Sequence, residues 1–332
     1  MIIPQEVDMA IRVFKYEDQD KEDWDAFVER SKNATFLHKT DYFHYHKDRF
    51  DDCSLLLKRN GQILALLPGN IEGTTFYSHK GMTYGGMLLL PETEIEDVVE
   101  YFNTVNRFLQ EKGIERVVYK AIPHIYADVP SQEDEYALFQ LGANLISCGI
   151  STAFQSNARL PYHSNRKKAI KRAHNQNLEI RHEGSLEDFW PVLEENLQKT
   201  FSVKPVHTLE EIKHLKKLFP DNIKVVTAYK DNKCVSGLIM YLTDNVAHLQ
   251  YSSASPEWKK IGVLDLLLDV VINEAMATKR YFDCGVSVEN NGHILNEGLL
   301  AYKEGFGGRG IVYQQYEYLT ANQICDLEEG YG

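Results

Sequence analysis

The chain has 332 residues, 43% of them hydrophobic and 25% charged, with a formal net charge of −12 at pH 7. That length exceeds one ordinary core and fits two domains of about 150 residues each. No apolar run approaches the roughly 20 residues needed to cross a bilayer, and the negative balance argues against broad nucleic-acid binding, so DNA is not an expected partner.

In the first half, an alternating strand is predicted over Ile11–Tyr16, then a helix over Lys21–Arg30 with Trp24, Phe27 and Val28 on one face. A helical segment covers Asp41–Arg49. Ser54–Arg59 and Gln62–Pro68 flank Asn60-Gly61, a strong short hairpin signal. Next come a strand over Met82–Leu90, a long helix over Glu94–Glu111 and a strand over Arg116–Lys120. A helix over Glu133–Leu141 and a strand over Ile146–Phe154 complete this half.

Asn157–Asn177 reads as a connecting loop and a basic helix, with Arg159, Arg166, Lys167, Lys168, Lys171 and Arg172 concentrated in an acidic chain. The second half repeats the order of the first. Leu178–His182 is a strand, and Leu186–Thr200 and Thr208–Leu218 are helices. Lys224–Lys230 and Cys234–Leu242 form a hairpin about Asp231-Asn232, and Val246–Ser253 is a strand. Gly262–Thr278 is a helix with a broad apolar face, Arg280–Val286 a strand, Ile294–Lys303 a helix and Ile311–Leu319 the last strand. This order implies an α/β fold: in each half a mixed sheet with helices on both faces. The expected division is 1–156 and 157–332.

Met1–Lys15 lacks the apolar core of a secretory leader. The five cysteines (Cys53, Cys148, Cys234, Cys284 and Cys325) are scattered and form no CxxC pair. They read as reduced thiols in a cytoplasmic protein. His44 and His46 are two apart, which on a helix points them to different faces, so with His38 they make no expected metal site.

The most specific signal lies near the end: Tyr302-Lys303-Glu304-Gly305-Phe306-Gly307-Gly308-Arg309, between two strands. A lysine closing a helix beside a sheet can meet phosphate or a developing oxyanion. It also suits the negative end of a helix dipole, with Gly307 or Gly308 as a cap. Asp283, ending an apolar strand, can accept a proton or orient an amine, or simply bond the following turn. Tyr251 can protonate a leaving group or pack as a half-buried strand residue.

Three segments together carry a family resemblance. Arg166-Lys167-Lys168-Ala169-Ile170-Lys171-Arg172-Ala173 resembles a basic helix opening a second domain. Tyr281-Phe282-Asp283-Cys284-Gly285 resembles a "yDfG" strand, and Gly298–Gly307 a "GL…FKxxFG" signature. With the element order, these resemble GNAT acyltransferases, in the FemABX-like branch with two GNAT domains in tandem, most clearly over 160–320. The resemblance implies N-acyl transfer, from an acyl-CoA such as acetyl-CoA to an amine on a small molecule such as an amino sugar or sugar nucleotide. Its alternatives are aminoacyl transfer from charged tRNA to a cell-wall precursor, and a degenerate protein that binds a nucleotide sugar without catalysis. It implies catalytic roles for Lys303, Asp283 and Tyr251. Lys259, Lys260, Gly262 and Val263 would form a loop holding the CoA pyrophosphate at a helix start. Arg166, Lys167, His38, Lys39 and Tyr302 would bind substrate. The first half has no glycine before Glu94, so no CoA is expected there. The chain departs from the family pattern in having Tyr302 where Phe is usual.

Overall fold

The computed structural model describes residues 10–201 and 203–324. Cys325 lies outside them. The described residues pack as two units: unit 1 holds those up to Cys148 and from Tyr313 onward, and unit 2 holds those between the boundaries 148/149 and 312/313. Each unit is thus bounded near 148/149 and 312/313, whereas the sequence reading placed a single cut at 156/157.

Unit 1 contains strands β1 (Arg12–Lys15), β2 (Asp51–Asp52), β3 (Leu55–Arg59), β4 (Gln62–Leu67), β5 (Asn70–Glu72), β6 (Thr75–Tyr77), β7 (Leu88–Leu89) and β8 (Arg116–Lys120). Its helices are α1 (Lys21–Arg30), α2 (Thr40–Phe43), α3 (Ile95–Glu111) and α4 (Glu133–Gln140). Strands β1, β3, β4 and β7 pair antiparallel in that order. The β3–β4 turn has Asn60 at φ 53° and Gly61 at φ 80°, the left-handed pair that a two-residue hairpin needs. A second set runs β2–β5–β6 antiparallel, then β6–β8 parallel. Helix α3 buries Val98, Tyr101, Phe102, Val105 and Leu109 against these strands, each worth about 1.5–3 kcal/mol of transfer free energy.

The strand expected over Met82–Leu90 shrinks to Leu88–Leu89. The reason is local: a Cβ on Gly85 would sit 1.9 Å from the Ser78 carbonyl oxygen, and Gly86 has φ +85°, so the backbone bends where a straight strand would clash.

Two strands, β9 (Asn144–Gln155) and β17 (Arg309–Leu319), contribute residues to both units. Unit 2 adds strands β10 (Glu179–Arg181), β11 (Ile223–Lys230), β12 (Lys233–Leu242), β13 (Val246–Ala254), β14 (Tyr281–Val286), β15 (Val288–Glu289) and β16 (Ile294–Leu295). Its helices are α5 (Ser164–His174), α6 (Leu186–Phe201), α7 (Leu209–Leu218), α8 (Pro256–Ile261), α9 (Val263–Thr278) and α10 (Glu297–Glu304). Strands β10 to β13 pair antiparallel in sequence order, β13 pairs parallel with β14, and β14 pairs antiparallel with β9.

Helix α9 buries Leu267, Leu268, Val271 and Ile272 with Leu238, Met240, Ala247, Leu249 and Phe282 from the sheet. Helix α6 takes the other face: a Cβ on Gly237 would lie 2.4 Å from the Phe189 ring, so only glycine lets α6 settle there. The alternation of Gly237 and Leu238 between faces is the period of a strand buried on both sides.

The helix expected over Ile294–Lys303 starts later, at Glu297. Ile294 and Leu295 instead pair with Glu289 and Val288 as a small hairpin. The Asn296 side chain then accepts from Leu299 N–H at 3.1 Å as the N-cap.

Candidate active site

Strands β13 and β14 pair for only three residues: Val246 with Tyr281, Ala247 with Phe282, and His248 with Asp283. Beyond that pair β13 runs on to Ala254 and β14 to Val286 without pairing to each other. Each strand breaks register with its other neighbour nearby. β13 carries one extra residue between Leu249 and Tyr251 opposite Met240 and Ile239, and β14 carries one between Asp283 and Val286 opposite Ala153 and Ser151. Bulges of this kind bend a strand and re-aim its side chains. The two strands therefore part just past His248 and Asp283.

Phe282 and Cys284 point into the α9 core, so Asp283 between them points to the opposite face. It is 0% exposed. A buried carboxylate needs partners, and Asp283 has them: it accepts from Ser151 Oγ, from Gly285 N–H at 3.0 Å and from His248 Nδ1 at 2.9 Å. The His248 side chain keeps 13% of its surface exposed. Asp283 accepting at Nδ1 fixes the tautomer, so the basic lone pair sits on Nε2. A hydrogen-bonded His–Asp pair where two strands part can take a proton from a group presented to it.

The sequence reading singled out Asp283 and Tyr251 but not His248. The sequence signals only that an Asp in an apolar strand requires a partner; that the partner is His248 follows from the parallel register of β13 with β14.

Lys303 is 8% exposed. Its ammonium donates to Gly285 O at 2.7 Å, Val286 O at 3.1 Å and Ser287 Oγ at 3.0 Å. Three protons meet three acceptors, all within the turn that follows Asp283. Burial lowers its pKa, while the neighbouring Cys284 and Asp283 act the other way. Cys284 itself is buried, and burial pushes its thiol up to about 12, which disfavours the thiolate that nucleophilic attack needs.

The glycines after Lys303 serve close backbone approach. A Cβ on Gly307, at φ +92°, would lie 2.0 Å from Leu160 O, and His163 N–H donates to Gly305 O at 2.8 Å. The motif thereby docks the start of α5.

Arg166 and Tyr302 come together, with Asp265 as the third member. Arg166 Nη1 lies 2.7 Å from Asp265 Oδ1, and its guanidinium stacks 4.6 Å from the centre of the Tyr302 ring. Tyr302 Oη donates to Asp265 Oδ2 at 3.4 Å. Burial raises the Asp265 pKa against the pull of Arg166, and burial raises that of Tyr302 further from its ordinary value. This cluster fastens α5 and α10 to the first turn of α9. Lys167 is exposed on α5 and lines an open groove with Tyr162, Ile170, Lys171, His174, Asn175 and Asp269.

Tyr251 is engaged elsewhere. Its hydroxyl lies 2.7 Å from His207 Nδ1 and accepts from His207 N–H at 3.3 Å, and burial raises its pKa. In unit 1, His38 is 0% exposed. Its Nδ1 accepts from Thr35 N–H at 2.9 Å and its Nε2 lies 3.4 Å from Gly85 O, so it is a core histidine and not an exposed ligand. Burial holds its pKa down at about 4. Lys39 pairs with Glu29 at 2.8 Å.

The loop expected to hold a CoA pyrophosphate has a different use. Pro256–Ile261 is itself helical, and Gly262 ends it in the left-handed region at φ +99°. Gly262 N–H donates back to Trp258 O and Lys259 O. A Cβ on Gly262 would sit 2.7 Å from Ala169 O, because α5 lies across this point. Arg172 donates to Lys260 O and Ile261 O, and Val263 is buried. Lys259 and Lys260 are exposed. GNAT folds generally use acyl-CoA, but Lys259, Lys260, Gly262 and Val263 do not fit its pyrophosphate here: the glycine N–H is spent and the space is filled by α5. Among the described residues, no group of three or more His, Cys, Asp or Glu side chains is placed to hold a metal ion, and no helix is long and apolar enough to cross a membrane.

Residues 162–304 match the family model "Acetyltransferase (GNAT) domain". No curated protein matches the chain. Among solved structures, the chain is similar to FemX, with a TM-score of 0.66 and 9% identity over 93% of this chain and 97% of that one. It is similar to the C-terminal domain of a putative lysylphosphatidylglycerol synthetase from Agrobacterium fabrum, with a TM-score of 0.58 and 12% identity over 91% of each chain. A tandem GNAT protein from the clavulanic acid biosynthesis pathway aligns with a TM-score of 0.51 and 8% identity over 95% of this chain and 100% of that one. The fold is therefore GNAT/FemX-like.

Proposed function

We propose that this chain, a GNAT-domain protein of FemX-like fold, is an N-acyltransferase with its reaction centre in unit 2. The observation that carries this reading is the His248–Asp283 pair at the parting of β13 and β14. The acceptor is an amine on a small molecule such as an amino sugar or sugar nucleotide. As its nitrogen bonds to the acyl carbon, the amine must lose a proton, and His248 Nε2 takes it. Asp283 holds the ring in the required tautomer and stabilises the imidazolium that forms. The bond from acyl carbon to carrier oxygen then breaks, and the proton passes from Nε2 to that oxygen.

One observation favours a donor class. The filled space at Gly262 disfavours a CoA pyrophosphate and favours an aminoacyl ester carried on tRNA. Exposed Lys167, Lys168, Lys171 and Arg172 on α5 suit a phosphodiester chain, even in a protein of net charge −12. The similarity in fold to FemX and to the C-terminal domain of a putative lysylphosphatidylglycerol synthetase is compatible with this reading.

The test is product mass after incubation with a charged tRNA pool, or with acetyl-CoA, in the presence of UDP-linked amino sugars. The expected result is an aminoacyl adduct with the tRNA pool and none with acetyl-CoA, lost by at least about 100-fold in His248→Gln. An adduct from acetyl-CoA alone would overturn the donor assignment. Undiminished transfer by His248→Gln would overturn the assignment of the base.

A further inference from the structure

The resemblance of the Lys303 motif implies a lysine that touches the reacting atoms. The geometry points to a different role: we infer that Lys303 is a positioning residue that holds His248 in place through the turn Gly285–Ser287. This inference rests on the reading of His248 as the base.

The ammonium of Lys303 has three protons, and all three are directed at Gly285 O, Val286 O and Ser287 Oγ. Nothing remains to stabilise an oxyanion unless one of these bonds is broken in a buried place, which is costly. What those bonds do is close the turn after Asp283. That turn has Gly285 at φ +74°, a conformation other residues rarely adopt. Its N–H donates to Asp283 Oδ1, the carboxylate whose other oxygen holds the imidazole. A Cβ on Gly285 would lie 3.6 Å from His248 Cε1, so the glycine backbone flanks the ring itself. Ser287 N–H also donates to Ile150 O, which ties the far end of the turn to β9. Lys303 thus sets the position of a backbone segment that borders both members of the pair.

The test uses the full chain labelled with 15N-histidine, comparing the His248 ring nitrogens in the wild type, Lys303→Met and Ser287→Ala, alongside kcat and KM for transfer. In the wild type, a protonated Nδ1 and an unprotonated Nε2 are expected. In Lys303→Met the two nitrogen shifts should converge as the tautomers mix, and kcat should fall with KM nearly unchanged. Ser287→Ala removes one acceptor of three and leaves the lysine in place, so it should move the same shifts in the same direction by less, which keeps the test open where Lys303→Met fails to fold. Unaltered His248 shifts in a folded Lys303→Met, or in Ser287→Ala, would overturn the positioning role. The nitrogen spectra need no turnover, so they report on Lys303 even where His248→Gln shows that His248 is not the base.

Discussion

Asp283 Oδ2 lies 2.9 Å from His248 Nδ1, across the last residue pair that joins β13 to β14. An Asp283→Asn side chain has nearly the same shape and can present its amide to Nδ1, which selects the opposite tautomer and moves the lone pair away from Nε2. We expect kcat to fall about 100-fold or more while the melting temperature changes little, measured by steady-state transfer and thermal unfolding. A variant as active as the wild type would show that the tautomer does not matter.

The close contact of α5 with Gly262 makes a stability prediction independent of substrate. Gly262→Ala must adopt φ +99° and place a Cβ 2.7 Å from Ala169 O. Overpacking and backbone strain together should cost about 1–3 kcal/mol, read as a lower denaturant midpoint. A neutral effect would mean that α5 yields at this point, which would reopen the space for phosphate.

Asp265 is 5% exposed and depends on Arg166 for its counter-charge. Arg166→Ala leaves that carboxylate buried without its cation and should destabilise by roughly 3 kcal/mol. Adding Asp265→Asn should recover part of the loss in a double-mutant cycle of unfolding free energies. Strict additivity of the two substitutions would contradict a direct coupling.

His38 predicts an acid-sensitive term. Its folded pKa is lowered from 6.5 to about 4 by burial, so between these values the unfolded chain binds the proton more readily. Stability is then full above about pH 6.5 and is lost as pH falls towards 4, by up to about 3 kcal/mol. His38→Gln should remove that slope, seen by plotting the difference in melting temperature between wild type and variant against pH. A difference that stays constant from pH 7 to pH 4 would rule out the buried neutral histidine.

Much of this was legible in the residues. Both hairpins fall where Asn60-Gly61 and Asp231-Asn232 mark them, because those residue types tolerate positive φ. The apolar face of α9 reads directly as a core helix. Other features depend on contacts distant in sequence. Gly262 looks like a helix start, but Ala169 decides what surrounds it. Lys303 looks like a lone cation, but its acceptors lie 16 to 18 residues earlier. The resemblance implies that His38 and Lys39 bind substrate, while the fold encloses the histidine completely. His248 carried no local motif, and only the parallel register with Asp283 reveals it.

The most direct measurement is single-turnover transfer from a charged tRNA pool to an amine acceptor by wild type and His248→Gln, both at pH 7.5 and both verified as folded. The account predicts a rate at least about 100-fold slower for the variant with an unshifted melting temperature. Rates within threefold of each other would contradict it.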